Sequence, residues 1–291
     1  MTTTINPPRL SLGQWLAQAR QRLAEHEPDA ALEARVLACH VLGQTSAWVQ
    51  THPEQTLTEA QTQALESMLA RLEKDVPLPY LTGRQEFYGL DFIVNDSVLI
   101  PRPETELLVE RALNWLRAHP ACSTAADVGA GSGCIAVTLA RHTPDLRVAA
   151  VDRSPAALDV ARQNARAHGV ETHIDFIQAD LLNSVPGPFD LICANLPYIP
   201  SADVDGLAVA RHEPRLALDG GPDGLDLIRR LLAQLLTRLS PGGLALFEIE
   251  YRQGQSAAAL AQAAIPAARV QILPDLSGLD RILEVTLPPL P

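Results

Sequence analysis

The 291-residue chain has one lysine, Lys74, only four cysteines, and no apolar run approaching the ~18–20 residues that a membrane-spanning helix needs. Each scarcity excludes something. No membrane span is predicted, and the opening Met1-Thr2-Thr3-Thr4-Ile5-Asn6-Pro7-Pro8 lacks the apolar core of a secretion signal, so a cytoplasmic location is expected. Cys39, Cys122, Cys134 and Cys193 lie far apart without a C-x-x-C pair, and each is read as a small buried apolar residue, not a zinc ligand or half of a disulfide. The histidines form no H-E-x-x-H, so no metal is expected, and the absence of a GK[ST] loop argues against a nucleoside triphosphatase. Positive charge is also scarce. A formal net charge of −11 gives little to displace counterions with, which argues against direct nucleic-acid binding, although a local basic groove stays compatible with it. What is present, 47% hydrophobic and 20% charged residues, is the composition of a globule of about two domains.

Residues 1–82 read as helices alone. Ser11-Leu12-Gly13-Gln14 has the pattern of a capping box, followed by Leu12, Trp15, Leu16, Ala19 and Leu23 at helical spacing, with Pro28 as the stop. A second helix starts at Asp29, turns Leu32, Val36 and Cys39 inward, and ends at Gly43. Thr58-Glu59-Ala60-Gln61 caps another that carries Leu65, Met68, Leu69 and Leu72. With no strand nearby to cover them, these helices must pack on one another as a small bundle. Pro77-Leu78-Pro79 breaks the pattern, and the aromatic, β-branched stretch from Phe87 to Val94 predicts a linking hairpin within residues 83–97.

The third part, residues 98–291, alternates strands and helices from Thr124 onward. Candidate strands are 125–128, 147–152, 174–178, 189–195, 244–249, 270–273 and 282–287. Helices begin near Glu104, Gly133 and Pro155, and another runs from Asp223 to Leu239, where Pro241-Gly242-Gly243 reads as its stop. Such alternation implies an α/β fold, a mostly parallel sheet covered on both faces.

Asp127-Val128-Gly129-Ala130-Gly131-Ser132-Gly133 sits where the first of these strands gives way to a helix. Glycines there let backbone approach a ligand, and the helix start offers free N–H groups. A tight turn has the same composition, but the spacing is G-x-G-x-G, with Cys134 where a dinucleotide fingerprint has its last glycine. Asp152 ends the next strand nineteen residues after Gly133, placed to accept from ribose hydroxyls. Asp180 can take an adenine amino group, Leu181 can cover the ring, and Asp127 can receive an ammonium. Each acid alone suits a helix cap. Together, at successive strand ends, they favour S-adenosyl-L-methionine.

Phe189 to Ala194 leads into Asn195-Leu196-Pro197-Tyr198. The Asn195 side-chain oxygen and the Leu196 carbonyl can accept the two N–H groups of a planar amide or nucleobase amine. They would aim its nitrogen at a sulfonium methyl and stabilise the positive charge that develops there. Pro197 stiffens the loop, and Tyr198 offers a flat wall to a planar group. A plain strand-ending turn also favours asparagine and proline.

These motifs resemble the protein-glutamine methyltransferases called HemK or PrmC, which methylate the glutamine of the Gly-Gly-Gln motif in peptide-chain release factors. The resemblance spans nearly the whole chain. It includes Tyr80-Leu81-Thr82-Gly83, Glu86-Phe87-Tyr88-Gly89, Leu99-Ile100-Pro101-Arg102-Pro103-Glu104-Thr105-Glu106, the run from Glu213 to Gly221, Asp223-Gly224-Leu225-Asp226 and Asp275 to Arg281. It implies a Rossmann-like class I methyltransferase sheet of seven strands, mostly parallel with the last antiparallel, after a helical domain that binds the release factor. It also implies that Gly129 to Gly133, Asp152 and Leu181 contact adenosylmethionine, that Asn195 faces cofactor and substrate, and that Leu196 to Tyr198 hold the glutamine. Two positions depart from the family pattern: Leu196 replaces the first proline of N-P-P-Y, and Glu250 stands where glycine is common.

The P-R-P-E-T-E run has two readings. Pro101 and Pro103 can end a strand with Glu104 and Glu106 in a helix's first turn, where the dipole favours acids, or Arg102 can guide the substrate loop. An N-P-P-Y-like loop also suits a nucleobase amine or a ribosomal-protein glutamine. Residues 1–80, however, carry five arginines and one lysine among many acids, an unsuitable surface for nucleic acid. The glycine spacing weighs against a dinucleotide oxidoreductase, and the complete set of site groups weighs against an inert binding protein.

Overall fold

The computed structural model describes residues 10–24 and 29–289; Pro28, the expected stop of the first helix, lies outside the described residues. The chain divides into two units, residues 1–83 and 84–291. The first contains α1 (Leu12–Leu23), α2 (Ala30–Leu42), α3 (Ser46–Thr51), α4 (Glu59–Leu72) and α5 (Leu78–Thr82). Both expected capping boxes form, at Ser11 with Gln14 and at Thr58 with Gln61. Trp15, Leu37, Leu65 and Leu69 meet in one apolar core. The seam of α2 differs from expectation. Ala30, Ala34, Leu37 and Ala38 are buried, whereas Val36 and Cys39 are half-buried and Leu32 is 46% exposed. This helix is apolar on nearly every face, so spacing permits several seams. Its alanines face inward because they let α1 and α4 approach closely.

The second unit opens with a hairpin of β1 (Arg84–Phe87) and β2 (Leu90–Ile93), whose turn residues Tyr88 and Gly89 both have positive φ. α6 (Pro103–Ala118) follows. Then come β3 (Thr124–Val128), α7 (Cys134–His142), β4 (Arg147–Asp152), α8 (Pro155–Ala167), β5 (Ile174–Gln178), β6 (Phe189–Ala194), α9 (Ser201–Val204), α10 (Asp226–Arg238), β7 (Leu239–Glu248), α11 (Gly254–Ala264), β8 (Arg269–Pro274) and β9 (Asp280–Thr286). The sheet order is β5-β4-β3-β6-β7-β9-β8, and β9 runs antiparallel to both its neighbours. One face is covered by α6, α7 and the hairpin, through Leu108, Leu113, Ile135, Phe87 and Phe92; the other is covered by α10 and α11, through Ile228, Leu231 and Ala257. Burying each such side chain contributes roughly 1.5–3 kcal/mol. This is the Rossmann-like class I methyltransferase architecture.

Two expectations need correction. Pro241-Gly242-Gly243 does not follow a helix end as a loop; α10 stops at Arg238 and the triplet lies inside β7. There Phe189 pairs with Leu239 and Leu191 with Leu244, so the residues from Ser240 to Gly243 bulge out opposite Asp190. Of the cysteines, only Cys193 is fully buried, while Cys39, Cys122 and Cys134 are half-buried. The longest of the described helices, α6, has 16 residues, and none is long and apolar enough to cross a membrane.

Candidate functional site

Parallel pairing brings the carboxyl ends of β3, β4, β5 and β6 to one edge, and a cavity of about 630 Å3 opens there. That is within the roughly 300–1,000 Å3 of ordinary ligand sites. Gly129, Ala130, Gly131, Ser132, Asp152, Asp180, Leu181, Asn195, Leu196 and Pro197 line it. The glycine loop is tied to β4, since the Gly129 and Ala130 N–H groups donate to the Val151 carbonyl. Asp152 is held by two backbone donors, Gly131 N at 2.9 Å and Ser154 N at 2.8 Å, which fix its carboxylate at the cavity wall. Asp180 pairs with Arg230 at 2.5 Å. Leu181 adopts a left-handed φ of 54° and is buried, which turns its side chain into the apolar wall.

Gly133 and Asp127 are not among the lining residues. Gly133, with φ of 78°, serves close packing: a Cβ there would lie 2.9 Å from the Ala161 Cβ, so α7 begins directly against α8. Asp127 lies wholly buried beneath the loop. Its Oδ2 accepts from the Ala136 N–H at 3.0 Å, and its Oδ1 has no partner among the described residues. Burial pushes its carboxyl up to about 7; the Ala136 hydrogen bond opposes the rise and the charge of Asp152 adds to it. The native carboxyl therefore keeps its proton to near pH 7, whereas an unfolded one releases it near pH ~4. Across that window the native state loses stability as pH rises. Asp127→Asn keeps an acceptor for Ala136 and is expected to melt above the wild type at pH 8, with an advantage that shrinks towards pH 4. Thermal melts at both values measure it.

Asn195 follows β6 and is held by a chain of hydrogen bonds. Its Nδ2 donates to Thr105 Oγ1 at 2.9 Å, and Thr105 Oγ1 donates to Glu248 Oε2 at 2.7 Å. With Nδ2 turned to Thr105, Oδ1 is the acceptor that Asn195 can offer a ligand. Tyr198 departs from the expected flat wall. It does not line the cavity, and its hydroxyl donates to Glu248 Oε1 at 3.4 Å. Its phenol is pushed up first by burial and then by the charge of Glu248. Glu248 is itself buried, and desolvation raises its carboxyl to about 7.

Thr105 and Glu248 are positions behind Asn195 that sequence reasoning missed. The one available signal was the P-R-P-E-T-E run. No strand ends at it, contrary to one reading, since β2 stops at Ile93, while Glu104 and Glu106 do occupy the first turn of α6. Arg102 lines the cavity but is bonded to buried Glu213, which also accepts from Ile100 N at 3.3 Å. The loop carrying Asn195 is clamped from a third side. Gln253 Nε2 donates to the Tyr198 carbonyl at 3.0 Å, and a Cβ on Gly224 would lie 2.1 Å from that oxygen.

The family of the PrmC N-terminal domain matches residues 14–83, and that of the methyltransferase small domain matches residues 104–211. A release factor glutamine methyltransferase of Moorella thermoacetica is 45% identical over 276 residues, covering 94% of this chain and 97% of its own. The chain belongs to the release factor glutamine methyltransferase family. A second member, from Nitratidesulfovibrio vulgaris, is 40% identical over 92% of each chain. The crystal structure of a ribosomal protein L11 methylase from Lactobacillus delbrueckii subsp. bulgaricus shares the fold, with a TM-score of 0.50 at 23% identity over 67% of this chain and 84% of that one. Against the family pattern, Leu196 is buried in the core, its Cδ2 3.0 Å from where a Cβ on Gly129 would stand. Glu250 keeps an ordinary backbone outside the left-handed region and pairs with Arg252 at 2.9 Å.

Proposed function

We propose that the protein transfers a methyl group from S-adenosyl-L-methionine to the side-chain amide nitrogen of the Gly-Gly-Gln glutamine in peptide-chain release factors. The observation that carries this reading is Asn195 on the cavity wall with Nδ2 bound by Thr105 and Oδ1 left to accept from an amide. The donor's requirements fit the cavity. Glycine-loop backbone can approach its amino-acid end, Asp127 Oδ1 is an orphaned acceptor suited to its ammonium, Asp152 suits its ribose, and Leu181 suits its adenine. When bound, the donor supplies a sulfonium methyl with a neutral thioether as leaving group.

Every other contribution comes from the chain. An amide nitrogen is a poor nucleophile because its lone pair is delocalised. Asn195 Oδ1 and the Leu196 carbonyl accept its two N–H groups and hold it in line with the methyl carbon, with Pro197 walling the cavity beside them. As the N–C bond forms and the C–S bond breaks, positive charge grows on nitrogen, and the two oxygens stabilise it. No base is needed beforehand, since the alkylated nitrogen is strongly acidic and gives up its proton to water afterwards. The helical unit is the release-factor module in this reading, and the reaction belongs in the cytoplasm, where those factors work.

Incubation with labelled methyl donor and separate samples of purified release factors, ribosomal protein and RNA, followed by mass spectrometry, tests it. Label on the Gly-Gly-Gln glutamine is the expected result. Label on RNA or ribosomal protein instead would overturn it.

A further inference from the structure

Two buried polar groups and the half-buried Tyr198 stand behind Asn195, and the reaction described above uses none of them directly. Thr105 in the first turn of α6 is 2% exposed, Glu248 at the end of β7 is 1% exposed, and the Tyr198 hydroxyl reaches the second oxygen of Glu248. We propose that Glu248, acting through the Thr105 hydroxyl, is a positioning residue that sets which end of the Asn195 amide faces the substrate. The inference rests on the methylation of a glutamine amide proposed above.

The argument is one of proton counting. A threonine hydroxyl has one hydrogen to give, and an ionised carboxylate only accepts. While Glu248 is charged, the Thr105 hydrogen must point to Oε2, at 2.7 Å. The hydroxyl oxygen then has lone pairs alone for Asn195, which must present Nδ2, at 2.9 Å. Asn195 Oδ1 is thereby turned to the cavity, where it can accept an N–H of the substrate amide. A Glu248 protonated on Oε2 reverses the sequence. Its acid hydrogen goes to Thr105, the Thr105 hydrogen is free for Asn195, and the amide turns over to present an NH2 group to a substrate NH2. Two donors then face each other, and the nitrogen is no longer aimed.

The charge state of Glu248 therefore governs catalysis. Desolvation raises its carboxyl to about 7, and Glu104 on α6 adds to the rise; Thr105, Arg281 on β9 and Tyr198 oppose it. Arg281 is shared with Asp275, its partner at 3.1 Å, and Arg102 is bonded to Glu213. The required form is the base, so the rate falls as pH drops through about 7.

The test is kcat/KM for a purified release factor at saturating methyl donor, from pH 5.5 to 9, with donor affinity measured by calorimetry. The wild type is expected to lose activity about tenfold per pH unit on the acid side. Glu248→Gln, which removes the charge and replaces one acceptor oxygen with an NH2 donor, and Thr105→Val, which keeps shape but has no hydroxyl, are each expected to lower kcat at pH 8 by at least roughly tenfold. Both should also abolish the acid limb, with donor affinity little changed, and Thr105→Ser should restore both rate and limb. Either of the first two variants suffices if the other does not fold. An active wild type whose acid limb persists in the folded variants overturns the relay alone, as does a loss of donor affinity that matches the loss of turnover. A limb that survives these substitutions but vanishes in Asp127→Asn assigns it to Asp127 and likewise overturns the relay. A wild type inactive on the factor at every pH overturns the functional reading itself.

Discussion

Asn195→Ala is expected to lower kcat about 100- to 1,000-fold, the scale seen when one preorganised hydrogen-bonding group is removed from a site of developing charge. The alanine removes Oδ1, so one substrate N–H has nothing to donate to and the nitrogen loses half of its alignment. It also leaves Thr105 without its donor, though Thr105 keeps its bond to Glu248. The donor pocket is built mainly from the glycine loop, Asp152 and Leu181, so affinity for the methyl donor should fall far less than turnover. Single-turnover methyl transfer alongside calorimetry of donor binding separates the two. A variant with near-normal turnover would remove Asn195 from the chemistry.

Gly224→Ala carries the second large effect, and it acts without touching the cavity. Gly224 has φ of 74°, and its added methyl would sit 2.1 Å from the Tyr198 carbonyl and 2.6 Å from Gln253 Nε2. The first contact is with backbone and cannot be relieved by a rotamer change. The Asn195 to Tyr198 loop must move, or residue 224 must. A left-handed non-glycine residue costs roughly 1–3 kcal/mol, and a shift of ~1 Å at a reacting centre can cost about 100-fold in rate. Loss of both stability and turnover is expected. Gly169→Ala is the control, with φ of 69° but nothing within 4 Å of the added methyl. It should lose comparable conformational energy and leave kcat unchanged. Melting temperatures and rates for the pair distinguish loop displacement from ordinary backbone strain. Equal losses of turnover in both would show that the Tyr198 contact is unimportant.

What the sequence made legible, it did through local chemistry. Ser11 with Gln14 and Thr58 with Gln61 announce helix starts because both partners of the cap lie within one turn. Strands 147–152 and 174–178 could be bounded to the residue because apolar runs end at polar punctuation. The glycine loop and Asn195 were readable for the same reason: each motif is contiguous. The seam of α2 was not, since a helix with apolar residues all round states no preference until its neighbours are placed. Asp127 at a strand end reads as an acceptor for an ammonium, but the sequence does not show that it is fully buried, with Oδ2 taken by the Ala136 N–H and Oδ1 left without a partner among the described residues. Thr105 and Glu248 escaped because they are 143 residues apart and meet only once α6 packs beside β7. Tyr198 reads from the loop motif as a flat wall, and its bond to the buried carboxylate of Glu248 is invisible in the sequence because the two are 50 residues apart.

The bulge in β7 bears on how such a chain can change over generations. Between Leu239 and Leu244 the strand leaves the ladder and returns to it, and beyond that point each residue is again matched with β6, up to Phe247 beside Ala194. Glu248 therefore takes its height from the re-entered ladder, not from the length of chain before it. Changes within the Ser240–Gly243 excursion are constrained by its own bonds, Gly242 N–H to the Pro288 carbonyl and Leu287 N–H to the Gly243 carbonyl, while the spacing between carboxylate, hydroxyl and amide is inherited from the ladder that follows.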